Sequence, residues 1–400
     1  MADQAFDAVI FDLDGTLVAT DRFWPQAARE GAIAGLSELK LTRDLPTTAE
    51  WMSMVGLPLN EGFDEVFADL SEEQRRVLER HCVEAEERTL RRGGIALLPG
   101  VEQTLRELQR REVRTGIASN CHNSYLFAMW DGLGLRDWMD EARCLQSPGI
   151  RNKADMIQDL LETFGTRRAF MVGDRMGDRD SAWANGLPHV HLARGYAGLD
   201  ERVECEAIID GFDSLLPMMD RKAREMDELA HQLAVSAPGN IIGVTGCACS
   251  GKTLFAESLA RALQSQGQTA RVIAITEFLS ERPELERAES DPLLYAASHV
   301  DFEALQQRLA ELDEADAPII LEGAFLAHPA IRPKIDFLIH LDAPRAICLR
   351  RLAGRDGRLS GVASTQKTAF ELLPLQEAFE KLLLPAEHAD LVLTTANLLA

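Results

Sequence analysis

Two carboxylates, Asp12 and Asp14, close the apolar run Ala8-Val9-Ile10-Phe11 and lead into Gly15-Thr16-Leu17. Alternate side chains of an extended segment share a face, so both acids can aim at one place while Leu13 points away. One carboxylate can attack an electrophilic phosphorus while the other moves a proton. Far downstream, Gly246-Cys247-Ala248-Cys249-Ser250-Gly251-Lys252-Thr253 follows a second apolar run, Ile241-Ile242-Gly243-Val244. In a loop of this spacing, backbone N–H groups and Lys252 wrap a nucleoside triphosphate, and Thr253 meets its divalent cation. One end of the chain is equipped to remove phosphate, the other to grip a phosphate donor.

The first pair has partners. Ser119 and Asn120 follow the run Gly116-Ile117-Ala118 and offer a hydroxyl and an amide to a phosphoryl oxygen. Gly15-Thr16 forms a turn that can join them at the phosphate. Lys153 opens a helix and supplies a neutralising cation. Asp174 ends Val172-Gly173, and Asp178 lies one helical turn later, so the two can share Mg²⁺. Arg175 can touch phosphate or pair with Asp178 or Asp180, and the pairing is the expectation. Any one of these could be a structural turn or ion pair, but together they place the expected group at four strand ends in order.

This set resembles the phosphoglycolate-phosphatase-like branch of the haloacid dehalogenase superfamily, over roughly the first half of the chain. The resemblance implies Asp12 as nucleophile, Asp14 as general acid/base, and Thr16, Ser119 and Asn120 on the substrate phosphate, with Lys153 stabilising it. It also implies Mg²⁺ held by Asp12, Asp174, Asp178 and the backbone carbonyl of Asp14, beneath a helical cap. A catalytically silent scaffold, a phosphomutase and a dehalogenase are the alternatives, and Asp14 counts against the last.

In the second half, Ile319-Ile320-Leu321 ends in Glu322, an acid suited to Mg²⁺ or its water. Arg345, Arg350, Arg351, Arg355 and Arg358 form a basic stretch that reads either as a solvated helix or as a lid over the phosphates. This half resembles the uridine-kinase and phosphoribulokinase-like small-molecule kinases at Gly243 to Gly246, Ser250 to Thr253, Leu321-Glu322-Gly323 and the tail from Phe379 to Asp390. ATP or GTP is expected on the loop, with Arg351 and Arg355 of the basic stretch on the nucleotide. Those kinases carry an aspartate before a Phe-Tyr pair. Here Thr276 takes that place, and Glu277 is the nearest candidate base.

Alternating apolar runs and helical stretches must position these groups, which predicts two α/β domains with parallel sheets: a Rossmann-like core with a helical cap, then a P-loop domain. The expected boundaries are 1–217 for the first, with core 1–18 and 99–217 and cap 19–98, a connecting helix at 218–238, and 239–400 for the second. With 64 acidic against 42 basic residues the formal charge is −22, which opposes nucleic acid and anionic membranes. Seven cysteines without a paired framework, and no signal-like start, predict a reduced cytoplasmic protein. The expected activity is an Mg²⁺-dependent phosphatase joined to an NTP-dependent kinase, acting on a small phosphate ester and a hydroxyl acceptor. Nucleic-acid end repair, or a phosphatase governed by a nucleotide sensor, would use the same pair of motifs. The sequence leaves oligomeric state open.

Overall fold

The computed structural model describes residues 5–197, 201, 203–236, 241–279, 291–313, 317–359, 373–383 and 385–394. The chain divides into two compact units, Phe6–Pro217 and, in the main, Met218–Ala400. Each is an α/β unit on a parallel sheet.

In the first unit, β1 (Ala8–Phe11), β2 (Arg114–Ser119), β3 (Glu141–Cys144), β4 (Ala169–Gly173), β5 (His189–Leu192) and β6 (Ala207–Ile209) form a sheet of order β3-β2-β1-β4-β5-β6. Every residue of β1 and β4 is buried, as expected of parallel strands covered on both faces. Phe11 lies level with Ile117 on one side and Val172 on the other. Asp12, one residue on, and Ser119 and Asp174, two residues on, therefore emerge at one edge, where open α/β sheets present their ligand groups.

Between β1 and β2 the chain builds a helical layer. The two linkers run side by side: Ala19 N–H donates to Ala96 O at 3.0 Å and Leu98 N–H to Leu17 O at 2.8 Å. Its main helices, Trp24–Leu39 and Glu72–Arg92, pack through Gly31, where an added Cβ would sit 2.4 Å from Cys82 Cα. Trp51, Phe63 and Phe67 form a small aromatic core of their own, with ring centroids 5.4 to 6.5 Å apart.

In the second unit, β7 (Ile241–Gly246), β8 (Arg271–Ala274), β9 (Ile319–Glu322), β10 (Phe337–Asp342) and β11 (Leu391–Thr394) are ordered β11-β10-β7-β9-β8. Val244 pairs with Glu322, so β7 delivers its loop beside the acid that ends β9. The stretch expected to be a connecting helix at 218–238 is the helix Leu215–Ser236, and it is more than a connector. Met226, Ala230 and Leu233 are buried in one cluster with Val244, Phe255, Leu259 and Ile339, so the helix belongs to the second unit's core. Among the described residues, no helix is long and apolar enough to cross a membrane.

Candidate active site

Asp12 is buried at the end of β1, and its Oδ1 accepts from Lys153 Nζ at 2.7 Å. Lys153 is the first residue of the helix Lys153–Phe164, whose N-cap Asn152 accepts from Asp155 N–H at 3.0 Å. The same ammonium donates to Asp178 Oδ1 at 2.6 Å. Asp178 Oδ2 in turn accepts from the Arg175 N–H at 2.9 Å, which fixes the first turn of the helix Met176–Ala184. Asp174 accepts from Thr16 Oγ1 at 3.2 Å and from the Tyr196 N–H. Gly195 is required beside it, because an added Cβ would lie 2.0 Å from the Asp174 Cβ.

Asp12, Asp174 and Asp178 place ligand oxygens within 4.8 Å of one another, all buried. Asp12 Oδ2 is buried without a hydrogen-bond partner. Burial pushes the Asp12 carboxyl well above the usual carboxylate range; Lys153 pulls it down, and Asp178 and Asp174 push it further up. Burial, followed by the charge of Asp178, pushes Asp174 up to about 7. Burial alone would lower Lys153, but Asp12 and Asp178 outweigh it and hold the ammonium charged. One lysine therefore pairs with two of three crowded acids, one of them with an orphaned oxygen. This all-oxygen, anionic donor set fits a hard divalent cation.

Asp14 turns away from that cluster. Its Oδ1 accepts from Thr20 Oγ1 at 2.6 Å and from the Tyr125 hydroxyl. Burial raises its carboxyl above the ordinary range, and the bonds from Thr20 and Tyr125 hold it back in part. Asp14 faces a cavity also lined by Ser119, Asn120, Trp24, Met54, Glu86 and His122. Glu86 accepts from His122 Nε2 at 3.0 Å, and burial pushes its carboxyl up to about 7.

Thus Asp12, Lys153, Asp174 and Asp178 meet as the sequence predicts, and Ser119 lines the adjoining cavity. Three expectations need correction. Thr16, expected on phosphate, is fully buried and spends its hydroxyl on Asp174. The Asn120 amide, also expected on phosphate, donates to Gly56 O at 2.9 Å in the helical layer. The Arg175 side chain pairs with neither Asp178 nor Asp180: its Nε donates to Glu201 at 2.9 Å and its Nη1 to Val55 O at 2.6 Å. The sequence reading missed Thr20, Tyr125, Glu86, His122 and Tyr196. Thr20 had a weak signal, lying six residues beyond Asp14 where the chain enters the cap; the others stand outside any recognisable spacing.

In the second unit, Thr253 Oγ1 donates to Glu322 Oε1 at 3.0 Å, bringing those two expected groups together. Lys252 Nζ donates to Cys247 O at 2.6 Å, and Arg351 Nη1 donates to Cys249 O at 2.9 Å, so lysine, loop and one arginine of the basic helix are assembled. Ser250 is fully buried in the loop, and Gly251 has a positive φ of 92° at the N-cap of the helix Lys252–Ser265. Gly246 and Ala248 complete the loop. Arg355 lies on the same helix, Arg345–Leu359, half-buried; the Arg358 side chain lies outside the described residues. Glu277 is exposed, and its carboxylate accepts from the Ala274 N–H at 3.0 Å, so this candidate base caps its own turn.

A parallel α/β unit with this acid cluster, followed by a P-loop unit, defines a hydrolase-like half joined to a nucleotide-binding half. The family model for haloacid dehalogenase-like hydrolases matches residues 9–191, and one described as an AAA domain matches residues 242–367. A phosphoglycolate phosphatase from Rhodospirillum rubrum is 31% identical over 201 residues, covering 48% of this chain and 80% of the relative. Among solved structures, a predicted phosphoglycolate phosphatase from Haemophilus somnus is 21% identical, with TM-score 0.47, over 54% of this chain and 98% of its own. A haloacid dehalogenase-like hydrolase from Streptococcus pneumoniae is also 21% identical, with TM-score 0.46, over 53% and 98%. The chain belongs to the haloacid dehalogenase-like hydrolases through its first half and carries an AAA-type P-loop domain in its second.

Proposed function

We propose that the first unit hydrolyses a phosphomonoester through Asp12, and that the second binds a nucleoside triphosphate and transfers phosphate to a small hydroxyl acceptor. The observation that carries the first part is the buried, unpartnered Oδ2 of Asp12, facing the same strand-end site as Lys153. That oxygen attacks phosphorus, Lys153 offsets the charge on nucleophile and phosphate, and Asp14 protonates the departing alkoxide. Asp14, now ionised, then takes a proton from the water that hydrolyses the aspartyl phosphate. Mg²⁺ held by Asp12, Asp174 and Asp178 would neutralise charge between nucleophile and phosphate.

The leaving group is read from the cavity beside Asp14. The Rhodospirillum relative is named for phosphoglycolate, whose leaving alcohol bears a carboxylate. Among the described residues lining this cavity there is no lysine or arginine, and the one basic side chain, His122, is taken up by Glu86. This supports a neutral, hydroxylated leaving group such as a sugar or nucleoside over one that bears a carboxylate. In the second unit, the contact between Thr253 and Glu322 supports triphosphate binding with Mg²⁺. A sensor role in place of transfer is favoured by one observation, that Glu277 is tied to Ala274.

A screen of phosphorylated metabolites with Asp12→Asn and Lys252→Ala tests both halves. Hydrolysis should vanish only in the first variant and ATP consumption only in the second. Unchanged hydrolysis in Asp12→Asn would sink the phosphatase reading. ATP binding without any acceptor-dependent consumption would leave the sensor.

A further inference from the structure

Cys247 stands in the phosphate loop, and its Sγ lies 2.8 Å from the Sγ of Cys348 on the helix Arg345–Leu359. A disulfide spans about 2.05 Å, so the sulfurs are within roughly 1 Å of bonding distance. Cys348 is buried, whereas Cys247 is half-buried, and both line a cavity with His340, Asp342 and Arg345. A small oxidant therefore has a route to Cys247.

The electrostatics distinguish the two sulfurs. A hydrogen bond from Cys348 draws the Cys247 thiol below its ordinary range; burial and the Glu380 carboxylate oppose this, and the Lys252 and Arg351 charges favour it. The hydrogen bond to Cys247, followed by burial, holds Cys348 protonated. The thiolate is the reactive form, so Cys247 is the attacking sulfur and Cys348 the resolving one.

Lys252 Nζ sits on Cys247 O at 2.6 Å and must leave that carbonyl to reach a phosphate. Arg351, one helical turn beyond Cys348, holds Cys249 O at 2.9 Å. A covalent bond from Cys247 to this helix would fix the loop in that arrangement.

We propose that Cys247 and Cys348 form a disulfide on exposure to hydrogen peroxide, and that this cross-link closes the phosphate loop to nucleotide. The inference rests on the triphosphate-binding reading of the loop. Cys247 thiolate attacks one peroxide oxygen; the O–O bond breaks, and the departing hydroxide takes up a proton as water. The resulting sulfenic acid is attacked by the Cys348 sulfur. The S–S bond forms, the S–O bond breaks, and the Cys348 proton leaves with the hydroxide as a second water. Two thiols lose two electrons to one peroxide, and a dithiol reductant reverses the change.

The 400-residue chain is treated with hydrogen peroxide, mapped by non-reducing peptide mass spectrometry, and titrated with ATP before and after. A peptide linking Cys247 to Cys348 is expected, together with a fall in ATP affinity of about tenfold or more that dithiothreitol restores. Cys348→Ser and Cys348→Ala should both keep their ATP affinity after peroxide. The proposal is overturned if no such linked peptide forms, or if both Cys348 variants lose affinity as the parent does. If the reduced parent binds no ATP while the linked peptide forms, the nucleotide reading falls and the control of binding falls with it. The cross-link then stands as chemistry without that role.

Discussion

Tyr125 donates its hydroxyl to Asp14 across 111 positions of sequence, and with Thr20 it counteracts part of the burial that raises this carboxyl. Removing one donor raises the carboxyl further, because a hydrogen bond to the ionised form favours it. In the proposed mechanism attack on substrate needs Asp14 protonated, so the high-pH limb of kcat/KM is expected to report its ionisation. Tyr125→Phe should move that limb to higher pH, read from a pH–rate profile; an unmoved limb would take Asp14 out of the acid role. Asp14→Asn should cost on the order of 10²–10⁴ in turnover. Asp174 gives a second pH effect of defined sign. Its folded carboxyl titrates at about 7, above its unfolded value, so its contribution to stability is present in acid and is lost as pH rises through 7. A cation must displace that proton to bind. The rise in Tm produced by Mg²⁺ should therefore be larger at pH 8 than at pH 5.5 in a thermal-shift series. An equal rise at both would separate the cation from Asp174.

At the scale of elements, two of the contacts from the loops of the first unit's core to its helical layer reach one turn. Arg175 donates to Val55 O while Glu201 braces its other edge, and Asn120 donates to Gly56 O. These hold the turn carrying Met54 and Leu57 over the cavity that contains Asp14. A hydrogen bond from a charged group contributes about 1.5–3 kcal/mol, so Arg175→Ala should raise KM roughly tenfold with a smaller change in kcat. A fall in kcat alone would instead place Arg175 on the reacting phosphate. The sequence shows where strands end but not which element comes to meet them. β1, β4 and β7 are legible because buried parallel strands are continuous apolar runs. β3, with half-exposed Glu141 and Arg143, and β5, with two histidines, lack that signature and were not read from sequence. The same limit explains the reassigned side chains. Spacing placed Thr16 and Asn120 at the right edge of the sheet, but their partners, Asp174 and Gly56, lie 158 and 64 positions away. Asp12, Lys153, Asp174 and Asp178 were legible because their chemistry is tied to strand and helix ends that the apolar pattern already locates.

At the scale of the whole molecule, the division into two units falls where charge patterning alone does not put it. The segment from Met218 to Ala234 is rich in charged residues and is followed by Ser236-Ala237-Pro238-Gly239, which reads as a connector and a break. Yet Met226, Ala230 and Leu233 recur at spacings of four and three, one face of a helix, and all three are buried against the second unit's sheet and P-loop helix. Burying Met226 and Leu233 contributes about 1.5–3 kcal/mol each. Domain stability is only about 5–15 kcal/mol, so losing that face removes much of it. A fragment beginning at residue 239 would retain the whole P-loop motif and still lack this cover. It should unfold at a markedly lower denaturant midpoint than a fragment beginning at 218, or fail to express in soluble form. The longer fragment should show a cooperative transition that ATP shifts upward. Equal midpoints for the two fragments, measured by circular dichroism in urea, would return the helix Leu215–Ser236 to the role of a simple linker.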